Sequence, residues 1–169
     1  MLISRPTYLF LALIAISIHL CAHARSDDRD KPIRINADTA ELNDKTGISV
    51  YTGDVVSTQG TAKLTGDVVT IHAPNNEVEK IIADGNLATY QETTDEGKVV
   101  YSEAEQIVYY QASEKIEMFR RVKITQEENV FRGQYVIYYV DTEIIEAGRP
   151  QSGERVDITI QPEKKNTNE

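Results

Sequence analysis

The sequence predicts an all-β protein, an elongated roll of many short antiparallel strands. Three observations carry that prediction. Apolar and polar residues alternate with a period of two, turn residues recur roughly every ten positions, and one β-like pattern occurs twice. In the first strands Ile33 and Ile35 flank Arg34. Further on, Ile116, Met118, Val122 and Ile124 share one parity, while Lys115, Glu117, Arg121, Lys123 and Thr125 share the other. Val156, Ile158 and Ile160 alternate with Asp157 and Thr159 near the end. Residues two apart point to one face of a strand, so each run is half-buried β structure. Turns are expected at Asn43-Asp44-Lys45-Thr46-Gly47, Pro74-Asn75-Asn76, Asp84-Gly85-Asn86, Asp95-Glu96-Gly97, Glu127-Glu128-Asn129 and Gly148-Arg149-Pro150. No proline falls between Pro74 and Pro150, so that stretch keeps every ladder donor.

The repeat has an offset of 67 residues: Ala37 matches Ala104, Val55 matches Val122, Thr58-Gln59 matches Thr125-Gln126, and Gly66 matches Gly133. A β unit used twice along one axis, each copy covering the open face of the next, gives an elongated roll. Each local echo of Thr-Gly-Asp-Val, at 52–55 and 65–68, predicts a bulge or corner. In the second copy Phe119-Arg120-Arg121 replaces that motif, so the corner there must be built differently. Arg120 has the inward parity; it either meets an anion near the mouth of the interior or points outward from a bulge.

Composition narrows the function. The chain has 169 residues, a formal charge of −9, one Cys and no Trp. An acidic protein lacks the positive field that non-specific nucleic-acid binding requires. A single Cys excludes a disulfide framework and a cysteine-rich zinc site.

The first segment reads as an address. Met1 to Arg5 carries one positive charge, Tyr8 to Leu20 is almost wholly apolar, and Ala22-His23-Ala24 follows as a small-x-small triplet. That apolar run is about 13 residues, where a spanning helix needs about 20, so cleavage after Ala24 is expected rather than a retained anchor. Acylation of Cys21 is disfavoured by His19-Leu20, which are not small. Residues 1–24 are thus a signal peptide and 25–30 a flexible start. Residues 31–160 are the β domain, and the polar segment 161–169 is a disordered tail.

The catalytic inventory is sparse. His72 stands alone beyond the signal, which leaves no multi-histidine metal site and no second histidine for a triad. Glu103 with Glu105, or Glu127 with Glu128, has the look of a glycosidase pair but reads as a solvated strand face and a turn. Asp27, Asp28 and Asp30 lie too near the terminus for an organised calcium site. No enzyme activity, cofactor or metal is expected.

What remains is the interior. Ile33, Ile35, Tyr51, Val55, Leu64, Ile116, Met118 and Val122 are expected to face inward, with Val69, Ile71, Tyr90, Ile107 and Tyr109 as further candidates. They line either a closed core or an apolar trough; periodicity does not separate the two. In a trough, an acyl chain gains roughly 0.8 kcal/mol per buried methylene.

The motifs Asp30-Lys31-Pro32-Ile33-Arg34-Ile35-Asn36-Ala37-Asp38, Tyr51-Thr52-Gly53-Asp54-Val55, Thr58-Gln59-Gly60-Thr61, Ala88-Thr89-Tyr90, Gly97-Lys98 and Ala104 to Tyr109 stand in the order found in the LptA/OstA-like family. The chain resembles these periplasmic lipopolysaccharide-transport bridge proteins over about 120 residues. The resemblance implies a twisted β-jellyroll open at both ends, joined head to tail, with lipid A chains of lipopolysaccharide shielded inside. It also implies two partners: an inner-membrane-anchored homologue (LptC-like) and an outer-membrane translocon (LptD-like). Lipid-contacting positions of the family carry over onto Ile33, Tyr90 and Tyr109. A bridge needs free strand edges; Ile33, Arg34 and Ile35 are expected to form one, and Val156, Ile158 and Ile160 the other. The alternatives are a monomeric periplasmic lipid chaperone, the anchored homologue of the same pathway, and a secreted β-sandwich carbohydrate binder or enzyme.

Overall fold

The computed structural model describes residue 28, residues 30–148 and residues 155–162. The segment expected to be a signal peptide, most of the expected flexible start, residues 163–169 of the expected tail, and Arg149-Pro150 of an expected turn lie outside the described residues. The described residues form a single antiparallel sheet of ten strands: β1 Arg34–Asn36, β2 Thr39–Asn43, β3 Ile48–Gln59, β4 Ala62–His72, β5 Lys80–Thr93, β6 Val99–Tyr110, β7 Lys115–Gln126, β8 Asn129–Tyr139, β9 Ile144–Ala147 and β10 Asp157–Thr159. One 3-10 turn, Pro74–Asn76, is the only helical element among the described residues. The strands follow the order β1-β3-β4-β5-β6-β7-β8-β10, with β2 also on β3 and β9 also on β8. The order is linear and does not close on itself.

The central strands β3 to β8 are each 11 to 14 residues long, and every one is interrupted near its middle. The register slips between Thr52 and Val55 on β3, Thr65 and Val68 on β4, Asp84 and Ala88 on β5, Glu103 and Gln106 on β6, and Phe119 and Val122 on β7. These irregularities are neighbours across the ladder, so they form one crease along which the sheet folds into two wings. Bulges supply such a bend because an unpaired residue breaks the ladder and raises the local twist. The first wing holds β2, β9 and the segments of β3–β8 that pair with them; the second holds β1, β10 and the remaining segments.

The wings face each other. Tyr138, on the β8 part of the first wing, donates its hydroxyl to Glu92 Oε1, on the β5 part of the second, at 2.7 Å. Strands β5 and β8 are three places apart, roughly 14 Å along a flat sheet, so only a folded sheet brings these groups together.

Asp84-Gly85-Asn86, expected as a turn, lies inside β5 at the crease. The turn residues there are real, but they serve a bulge and the strand continues. The turns expected at 43–47, 74–76, 95–97 and 127–129 join strands. Further turns fall at 60–61, 111–114 and 140–143; the last two each hold a single turn-favouring residue, Ser113 and Asp141, with no glycine, proline or asparagine beside it to mark them in the sequence.

Strands β7 and β8 span the residues lying 67 positions beyond β3 and β4. The crease residues correspond in backbone as well. Gly53 and Asp54 have φ of 88° and 39°, and Arg120 and Arg121 have 61° and 51°. The same left-handed pair is thus built once with a glycine and once with two arginines. At Gly53 the Asp38 carboxyl occupies the place a Cβ would take, so a side chain adds a clash to the unfavourable φ. Gly53→Ala is expected to lower stability by about 1–3 kcal/mol, measured by denaturant unfolding.

Candidate functional site

The inward faces of the two wings make one apolar interior. Val55, Val69, Ala83, Ile107, Ile116, Met118, Ile124 and Val136 are fully or almost fully buried, and Ile33, Ile35, Tyr51 and Tyr109 pack against them. All the residues expected to line an interior are in this cluster. Sequence reading missed Ile81, Ala83, Val100, Ser102, Glu92, Val136 and Tyr138 as lining residues. The crease explains why. On β4 the inward residue Leu64 is even-numbered but Val69 and Ile71 are odd. On β5 Ile81 and Ala83 give way to Ala88, Tyr90 and Glu92, and β6 and β8 switch likewise. An alternation that changes phase in mid-strand cannot be followed as one period. On β7 the two-residue bulge preserves the phase, and there Ile116, Met118, Val122 and Ile124 are legible from sequence.

Cross-strand partners share a face, so the registers convert into rails running along the roll. One rail on the first wing passes through Ala40, Tyr51, Val69, Ala83, Ile107, Met118, Val136 and Ala147. A second, on the other wing, passes through Ile35, Ser57, Leu64, Tyr90, Ser102, Ile124, Phe131 and Ile158. Each crosses eight strands, about 34 Å at about 4.8 Å per strand.

Among the described residues no cap closes the rails. Leu42 pairs with the inward residue Ser49 at the β2 end, yet is 62% exposed. At the other end Ile158 pairs with Phe131 but is 52% exposed, and Ile160 beside it is 72% exposed. The inward face therefore emerges into solvent at both extremities. Those extremities are also the sheet edges: β1 and β2 at one end, β9 and β10 at the other. The segments holding Ile33, Arg34 and Ile35, and Val156, Ile158 and Ile160, stand at the two ends of the strand order.

Polar groups inside are few. Glu92 is 2% exposed and accepts hydrogen bonds from Tyr90 (2.8 Å) and Tyr138 (2.7 Å). Burial, then the adjacent Glu92 carboxyl, pushes the Tyr90 phenol well above its ordinary value. Charge lies on the outer side of the crease. There a cleft of about 550 Å³ is lined by Asp67, Asp84, Asn86, Glu105, Arg120 and Arg121. Arg120 and Arg121 each donate to Glu105 at 2.7 Å and hold its carboxyl below the usual range. Arg120 thus points outward from its bulge. The other acidic pair member, Glu103, faces Lys123 at 3.6 Å, so Glu103 and Glu105 are engaged by cations on the outer face. His72 closes β4, half-buried, across from Ile48 and Lys80.

Fold and site together define a β-jellyroll whose apolar interior reaches both ends. The chain belongs to the LptA/(LptD N-terminal domain) LPS transport protein family, whose profile matches residues 34–144. It is similar to the lipopolysaccharide export system protein LptH of Pseudomonas aeruginosa, with 38% identity over 152 residues, 85% of this chain and 87% of LptH. Its similarity to LptA of Escherichia coli K12 is 30% over 156 residues, 91% of this chain and 84% of LptA. The crystal structure of LptH, described as the LptA homologous periplasmic component of the lipopolysaccharide transport device of P. aeruginosa, superposes with a TM-score of 0.75. The two are 36% identical, and the match covers 80% of this chain and 99% of the chain in that crystal structure. A stretch of 62 residues is also 40% identical to part of the LPS-assembly protein LptD of Photobacterium profundum.

Proposed function

We propose that this protein is a periplasmic lipopolysaccharide carrier that joins head to tail and conducts the lipid from inner to outer membrane, its acyl chains held between the two wings. The observation that carries this reading is the emergence of inward-facing Leu42 and Ile158, with exposed Ile160 beside the latter, at the two sheet ends. A second copy seated on such an end extends the rails and pairs the free edges in one step. An end-to-end contact that does not close on itself grows into a filament.

An apolar path suits movement. Hydrophobic attraction has no direction, so a chain sliding along the rails meets no deep trap. In the conformation described here the lining side chains pack against one another. Entry of an acyl chain therefore requires the wings to part along the side opposite the crease, where no ladder joins them among the described residues. The homologous edge strands of an anchored LptC-like protein and an LptD-like translocon offer the same kind of pairing at the ends of such a filament. Similarity to LptH, LptA and part of LptD supports these partners and a periplasmic location after removal of residues 1–24.

Photo-crosslinking in cells tests the reading. A photoreactive residue at Tyr90 or Tyr109, both facing inward, is expected to give lipopolysaccharide adducts. One at Tyr101, which pairs with Gln91 on the outer face, is expected to give few. Equal yields at all three positions, or none at Tyr90 and Tyr109 with normal expression, would remove the conduit.

A further inference from the structure

The second-wing rail carries a polar break. Ser102 is fully buried, and its Oγ has no hydrogen-bond partner. It lies directly across from Tyr90 and between that residue and Ile124 on the rail. Two residues beyond Tyr90 on the same face is Glu92, which Tyr90 and Tyr138 hold from opposite wings. A buried hydroxyl without a partner is uncommon in a folded protein and points to something absent from the site. The buried polar residues among those described are Ser57, Glu92, Thr94 and Ser102, with no lysine or arginine. An anionic group is therefore not what the site accepts. A neutral group that both donates and accepts fits it, provided apolar atoms extend from it along Leu64 on one side and Ile124 on the other.

Building on the conduit reading, we propose that Ser102, with the Tyr90–Glu92–Tyr138 cluster, is a recognition site for acyl chains bearing a hydroxyl group, of the 3-hydroxyacyl kind, in preference to plain chains. The ligand hydroxyl exchanges a hydrogen bond with Ser102 Oγ, the buried group without a partner, while its methylenes follow the rail. A chain without the hydroxyl leaves Ser102 unpaired when bound.

Displacement of a fluorescent acyl probe from the purified protein, by 3-hydroxytetradecanoate and by tetradecanoate, measures the preference. The hydroxylated acid is expected to bind about 5- to 10-fold more tightly, the worth of one good hydrogen bond. Ser102→Ala removes an unpaired polar atom, so it is expected to keep its thermal unfolding midpoint while reducing the ratio to near one. Tyr138→Phe reports the contribution of the cluster and is expected to reduce the ratio less. Equal binding of the two acids to the unsubstituted protein, or an unchanged ratio in Ser102→Ala, overturns the recognition site while leaving the conduit intact. Failure of both acids to displace the probe removes the conduit reading, and the site with it.

Discussion

Proline introduced at whichever of Arg34 and Ile35 turns its N–H to the free edge is expected to leave the protein folded yet deprive it of head-to-tail association. Strand β1 pairs with β3 on one side only, through Arg34↔Thr58, Ile35↔Ser57 and Asn36↔Val56. In an antiparallel ladder, consecutive residues direct their N–H groups alternately toward the partner strand and away from it. One of the two prolines therefore removes a donor from the free edge, and the other removes one from the β3 ladder. Edge strands tolerate proline, and β1 contributes only three residues to the sheet, so the central strands should not be disturbed. The free-edge variant is expected to lose at least tenfold in association, measured by crosslinking and by size exclusion over a range of concentrations, with its unfolding midpoint within a few degrees of the parent. If both variants associate as the parent does, β1 is not a joining edge.

Replacement of Glu92 by alanine is expected to cost roughly 2–5 kcal/mol of stability. Its carboxyl receives two tyrosine hydroxyls inside a largely apolar interior. Removing it strands both donors, each at about 1–3 kcal/mol, and opens a cavity between the wings. Glu92→Gln keeps one oxygen acceptor and is expected to lose much less. Urea unfolding of the two variants decides the matter: equal, small losses in both would show that the carboxyl does not tie the wings together.

These two sites differ in how far the sequence announced them. The edge segments are legible because Ile33 and Ile35, and likewise Val156, Ile158 and Ile160, alternate cleanly and lie at the two extremes of the β pattern. Ile116, Met118, Val122 and Ile124 are legible for the related reason that β7 keeps its phase through the crease. Glu92 and Ser102 are not. Each sits on a strand whose inward parity switches at the crease, and an isolated Glu or Ser among alternating residues reads as solvent-facing. Asp84-Gly85-Asn86 misleads in the opposite sense, since glycine beside Asp and Asn satisfies a turn and a bulge equally well.

Period-two alternation, regular turns and a pattern repeated after 67 residues were enough to establish an all-β roll, because side-chain direction along a strand is a local property of the backbone. Family motifs in their order added the kind of roll. Which strands adjoin, where the sheet creases and which polar groups end up facing each other are matters of long-range pairing. Tyr138 reaches Glu92 across 46 positions of chain, and no local pattern encodes that distance. Only the folding of one sheet onto itself turned its inward residues into continuous rails, and left those rails uncovered at either end.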